Sequence, residues 1–194
     1  MEHNIRKARE NEKLRIAQTI AYSFEKDFSG LAKDMECIAK VLENGLDTSR
    51  FLVAEQDGKI VGVIACSDCT GRALNITKKD CKNHLGFIRG FIAFQVFYEE
   101  FLKPLTYPQT TCYMEVLGVL KEARGQGIGK AMLEKIITVN SGYSEYILNV
   151  VENNINAIRI YENFGFVEYE RIPYKWAKQS GIKAKIWMRY TQTR

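Results

Sequence analysis

The run TCYMEVLGVL at 111–120 leads, after three residues, into RGQGIG at 124–129 and then KAMLEKIITVN at 130–140. The first segment is apolar and β-rich. The last continues a stripe of Ile128, Met132 and Ile136 at helical spacing, so a strand enters the glycine loop and a helix leaves it. Gly125, Gly127 and Gly129 weaken local order where a simple connection would have no use for it. A helix start of this kind presents free N–H groups and the positive end of the helix dipole, an arrangement that suits an anion. The spacing removes two common users of such loops. Counted from Gly125, the dinucleotide pattern G-x-G-x-x-G requires glycine where Lys130 stands. The nucleotide pattern G-x-x-x-x-G-K-[ST] meets Arg124 at its first position and Ala131 at its last, so the magnesium-binding hydroxyl is missing. What remains is a backbone cradle for a pyrophosphate, with Arg124 and Lys130 at its ends.

Around this core unit the chain reads as one mixed α/β domain over 1–194. A short strand is expected at 4–9, with helices over about 10–25 and 30–44. FLVAEQ-DG-KIVGVIAC reads as a hairpin, because Asp57-Gly58 tolerates the positive φ of a tight turn. Residues 71–110 read as a helical insertion of one or two helices closed by Pro104. YILNVV is a buried strand, Asn154 caps a short helix that ends at Gly165, and VEYERI and KIWMRY are two final strands. The expectation is a central, mostly antiparallel sheet of six or seven strands with flanking helices.

At 194 residues the chain is long enough for a full core without metal or disulfides. Its five cysteines and charged N-terminus, with no apolar leader, suggest reduced thiols and a cytoplasmic location. LGFIRGFIAFQVF (85–97) is interrupted by Arg89 and Gln95 and is too short to span a bilayer, so no membrane partner is expected. Residues 171–194 carry seven basic and no acidic residues, whereas the remainder sums to 21 − 23 = −2. A basic end could meet nucleic acid. The alternation of Ile182, Ala184, Ile186 and Met188 with Lys183, Lys185, Trp187 and Arg189 favours instead a half-buried strand with its basic side in solvent.

Arg124-x-x-Gly127-x-Gly129 after a strand resembles the signature of the GNAT superfamily of N-acetyltransferases. Asn154-x-x-Ala157-x-x-x-Tyr161-x-x-x-Gly165-Phe166 is similar to a second block of that family, in the right order and on the expected element. The resemblance is strong over 111–170. It implies acetyl-CoA as cosubstrate, with its pyrophosphate on the amides of Gly125, Gln126, Gly127, Ile128, Gly129 and Lys130. Its pantetheine arm would lie along Leu117 to Val119, where Gly118 suits a bulge or a close approach. The strands at 113–120 and 146–151 would splay to admit the thioester, and Asn154 would touch the arm or only cap its helix. Tyr161 would be the acid that protonates the leaving thiolate. With only His3 and His84 in the chain, Glu115 is the candidate base. Strict alternation turns it away from the Val116 face unless a bulge intervenes, so a water relay or an acid from the insertion stays open.

The implied activity is direct acetyl transfer to a primary amine, of a small molecule, a peptide N-terminus or a protein lysine. The long aromatic insertion favours the first. A non-catalytic acyl-CoA-binding module is the alternative. Phe87, Phe91, Phe94, Tyr98 and Phe101 recur at three- and four-residue steps, a pattern of core packing, a homodimer contact or a wall of the acceptor site. Cys66, Cys69, Cys81 and His84 have a spacing that zinc could use, but cysteine is commonly just buried, and no metal is expected.

Overall fold

The computed structural model describes residues 3–175, 177 and 181–192. Seven strands form one sheet in the order β1-β2-β3-β4-β5-β7-β6. They are β1 (Asn4–Lys7), β2 (Phe51–Gln56), β3 (Lys59–Ser67), β4 (Thr111–Val119), β5 (Glu145–Val151), β6 (Val167–Pro173) and β7 (Ala184–Thr191). Every neighbouring pair is antiparallel except β4 and β5. The helices are α1 (Lys13–Ser23), α2 (Glu25–Phe28), α3 (Met35–Glu43), α4 (Lys78–Leu85), α5 (Phe87–Phe97), α6 (Ile128–Val139) and α7 (Ile155–Phe164). The β2–β3 turn places Asp57 at φ 50° and Gly58 at φ 74°, the positive values that the Asp-Gly pair accommodates.

The sheet separates two apolar clusters. One contains α1, α3 and the insertion, with Ile16, Ile20, Ile38, Leu42, Phe97 and Val116 buried. The other lies under α6 and α7, with Ile128, Met132, Ile136, Leu148, Tyr161 and Phe166. The stripe expected on α6 is therefore its buried face, and burying each such side chain stabilises the fold by about 1.5–3 kcal/mol.

Two features of β4 shape the site. Its pairing with β5 is confined to Thr111–Tyr113 against Glu145–Ile147, and beyond this the two strands part. Against β3, Ile64 pairs with Leu117 and Cys66 with Met114, so Glu115 and Val116 together face Ala65. This is a β-bulge. Its effect is visible in the packing, since Met114 and Leu117, three residues apart, both join the α6-side cluster, whereas Val116 joins the other.

The insertion is helical as expected, and its aromatic residues are only in part core. The α5 helix buries only Gly90, Ala93 and Phe97, and leaves Phe87, Ile88, Phe91 and Ile92 exposed. After it, Tyr98–Leu102 form a single π-helical turn before Pro104. Cys66 and Cys112 sit on adjacent strands with Cα atoms 6.0 Å apart and are disulfide-bonded. That corrects the expectation of reduced thiols throughout and removes Cys66 from any set with Cys69, Cys81 and His84. Sequence spacing concealed the pairing because it runs across the sheet. On β7, Ala184, Ile186 and Met188 are buried as the alternation predicts, yet Lys185 is partly covered and paired with Glu100 of the π turn. Of the basic residues in the terminal segment, Lys178 and Arg194 lie outside the described residues.

Candidate active site

The glycine loop places its backbone toward open space. Gly125 and Gly127 adopt φ of 78° and 81°, which is the left-handed conformation where a Cβ is strained. A Cβ on Gly125 or Gly129 would meet nothing within 4 Å. The first amide of the α6 ladder is that of Ala131, donating to the Gly127 carbonyl at 3.0 Å. The preceding N–H groups of the loop are thus available at a helix N-terminus, and this geometry fits a diphosphate. Arg124 is exposed at the start of the loop, and its guanidinium donates to the carbonyls of Val119 and Ser23, each at 2.9 Å, tying the end of β4 to the end of α1. Gln126 accepts from Gln56 at 3.0 Å, and Lys130 lies 3.8 Å from Glu134, both at the exposed rim.

Between the parted strands lies a narrow cleft lined by Met114, Glu115, Leu117, Leu148, Asn149 and Tyr161. The sequence-predicted residues Tyr161, Glu115 and Leu117 thus meet at one place, with Val119 further along the same strand. Gly118 lies against the end of α1, since a Cβ there would lie 2.9 Å from Ser23. The bulge itself falls at 115–116 rather than at Gly118.

Tyr161 enters from α7, held by contacts with Phe166 and by the Asn154 cap, whose side chain accepts from the Ala157 amide at 3.2 Å. Among the described residues its hydroxyl makes no hydrogen bond, and burial pushes the phenol up to about 12. An unpartnered phenol at a cleft is protonated at neutral pH and free to donate.

Glu115 belongs to the opposite face of the sheet from Tyr161, as alternation from Met114 requires, and the bulge brings Val116 to that same face and returns Leu117 to the cleft side. Its carboxylate is paired with Arg72, accepts from the Ala73 amide at 3.1 Å and is bonded by the Ser67 hydroxyl. Burial raises its pKa, and the Arg72 charge and the hydrogen bonds oppose the rise. Arg72 also donates to the carbonyl of Lys103 at 2.6 Å and of Glu100 at 3.1 Å, and lies over the Tyr113 ring. Tyr113 in turn stacks on Trp187, and its hydroxyl accepts from Asn149 at 2.6 Å. Sequence reasoning missed Arg72, Asn149 and Tyr113. Arg72 is an isolated arginine 43 residues from its partner, and no local pattern signals it. No group of three or more His, Cys, Asp or Glu residues is placed to hold a metal ion among the described residues.

The Acetyltransferase (GNAT) family matches residues 17–166, most of the chain. The chain belongs to the GNAT family. This GNAT protein is 39% identical over 70 residues to N-alpha-acetyltransferase 60 of Xenopus tropicalis, a match covering 34% of the chain and 29% of that relative. The chain therefore spans under a third of that relative's length. In fold it is similar to an N-acetyltransferase from Staphylococcus aureus Mu50, with a TM-score of 0.63 and 18% identity over 96% of this chain and 99% of that one. It is also similar to yncA, a putative acetyltransferase from Salmonella typhimurium solved with acetyl-CoA. There the TM-score is 0.60 at 15% identity, over 100% and 96% of the two chains.

Proposed function

We propose that this protein transfers the acetyl group of acetyl-CoA to a primary amine by direct attack, with Tyr161 as acid and Glu115 as base. The observation that carries the reading is the parting of β4 and β5 beyond Tyr113 and Ile147, with Tyr161 reaching the gap from one face and Glu115 standing on the other. Acetyl-CoA supplies the activated thioester. Gly125, Gln126, Gly127, Ile128, Gly129 and Lys130 hold its diphosphate through backbone amides, and the edges of Leu117 and Val119 orient its arm. Arg124 braces the loop from behind, and Asn154 fixes α7 so that Tyr161 stays in the cleft.

The amine nitrogen bonds to the acetyl carbon as the carbon–sulfur bond breaks. Tyr161 gives its proton to the departing sulfur. The proton lost by the amine passes to Glu115 through a bridging water, because Arg72, Ser67 and Ala73 occupy the carboxylate directly. Return of a proton to Tyr161 completes the cycle, so the products are an acetamide and a free thiol.

The acceptor favoured by the geometry is a small-molecule amine. The π turn is fastened to β7 and to the segment after β6 by Glu100–Lys185 and Glu99–Lys175, which narrows the side of the sheet carrying Tyr113, Trp187 and Glu115. A peptide N-terminus is the second reading, supported by the similarity to N-alpha-acetyltransferase 60. The test is thiol release from acetyl-CoA with a panel of small amines, peptides with free N-termini, and peptides bearing lysine. Turnover confined to small amines supports the first reading and turnover confined to free N-termini the second. Binding of acetyl-CoA without release across the panel would mark a non-catalytic module.

A further inference from the structure

The α4–α5 hairpin carries an apolar ridge that the acetyl-transfer site does not use. Phe87 and Ile88 are each 74% exposed, and Phe91 and Ile92 are 47% and 51% exposed. On a helix, positions i, i+1, i+4 and i+5 form one continuous stripe, and a cluster of large exposed apolar side chains on a soluble surface marks a contact site. The ridge is rigid. A Cβ on Gly90 would lie 2.5 Å from the Cys81 carbonyl oxygen, so α4 and α5 touch backbone to backbone. Gly86, at φ 76° with nothing within 4 Å, forms an open corner from which Phe87 and Ile88 project.

Charge tells what covers this ridge. Lys78 lies over the Phe91 ring at 5.2 Å and Lys82 over the Phe87 ring at 4.5 Å. With Lys79 and Arg89, residues 78–92 hold four cations against Asp80, a net charge of 4 − 1 = +3. The Asp80 carboxylate is occupied at the start of α4, accepting from the hydroxyl of the capping Thr77 and, at 3.2 Å, from Asn44. A two-fold contact with a second copy would set these cations against their own images. An apolar ridge flanked by lysine and arginine suits a surface that is greasy beneath and anionic above.

We propose that the tip of the α4–α5 hairpin docks on an anionic lipid surface. Phe87, Ile88, Phe91 and Ile92 enter the interface, while Lys78, Lys79, Lys82 and Arg89 meet the headgroups. The eleven-residue α5 lies on the membrane and does not cross it, and no helix among the described residues is long and apolar enough to do so.

The test is co-sedimentation of the full chain with vesicles of phosphatidylcholine alone and of phosphatidylcholine containing one third phosphatidylserine. Retention on the anionic vesicles only, weakening as salt rises, is expected. Each cation removed should weaken it about fivefold. Phe87→Asp with Ile88→Asp, and separately Lys78→Glu with Lys82→Glu, should each lower the partition coefficient about tenfold or more while the unfolding temperature and acetyl transfer stay unchanged. Absence of retention on the anionic vesicles at low salt would overturn the proposal. So would variants that bind as the parent does, since binding would then come from another basic segment. A concentration-dependent dimer that Phe87→Asp dissociates would overturn it in favour of self-association.

Discussion

Arg72 and Glu115 form an ion pair in which the arginine side chain is 9% exposed and the carboxylate is fully buried. The same guanidinium holds the carbonyls of Glu100 and Lys103. One residue thus couples the bulge of β4 to the turn that closes the insertion.

Replacing Arg72 by glutamine leaves Glu115 buried without its counter-charge, a loss of about 3–5 kcal/mol. Burial already raises the Glu115 pKa above 4.5, so its contribution to stability is complete below that value and is lost as pH rises through the folded-state value. Removing Arg72 raises the folded-state value further. Chemical denaturation across pH should show Arg72→Gln least destabilised near pH 4, where only the two carbonyl contacts are missing, and increasingly destabilised above it. A pH-independent difference would mean that Arg72 acts only through the two carbonyls.

Gly129 separates folding from ligand binding. It stands in the first turn of α6 with open space where a Cβ would go. Gly129→Ala should therefore stabilise the helix by up to about 1 kcal/mol and raise the unfolding temperature. If the loop amides cradle a diphosphate, the added methyl crowds it and the KM for acetyl-CoA rises several-fold. Thermal unfolding together with steady-state kinetics on one preparation checks both halves.

The Glu100–Lys185 pair, with side chains 23% and 18% exposed, predicts a change in acceptor range. Lys185→Ala should cost about 1 kcal/mol of stability and admit bulkier amines, with kcat/KM for the smallest acceptors altered least. An unchanged acceptor profile would separate the π turn from the acceptor site.

Much of this was legible in the chain. The glycine loop, the α6 stripe and the Asn154 cap are local patterns, each set by residues within one turn or one strand, and the structure places them as their spacing implies. A mostly antiparallel sheet of six or seven strands was expected, and the sheet has seven. The bulge at Glu115 and Val116 was not readable, because it exists only in the register of β4 against β3. Arg72 was hidden for the same reason, its meaning depending on a partner 43 residues away. Periodicity left α5 undivided, its apolar pattern nearly all round fitting core packing, a homodimer contact or a wall of the acceptor site. Only packing reveals that Gly90 and Ala93 form the buried side and Phe87 and Ile88 the free one. The Cys66–Cys112 bond runs across strands, while the sequence drew attention to Cys69 three residues along.

Tyr161→Phe is the most direct test of acid catalysis by Tyr161, because the hydroxyl makes no hydrogen bond among the described residues and its removal leaves the packing intact. Single-turnover thiol release and acetyl-CoA affinity should be measured on parent and variant. A fall in rate of about 10²–10⁴ is expected, with unchanged affinity and stability. The parent should also show no alkaline loss of activity from Tyr161 near neutral pH, since burial holds that phenol at about 12. A variant that releases thiol at the parental rate would contradict the assignment of Tyr161 as the acid.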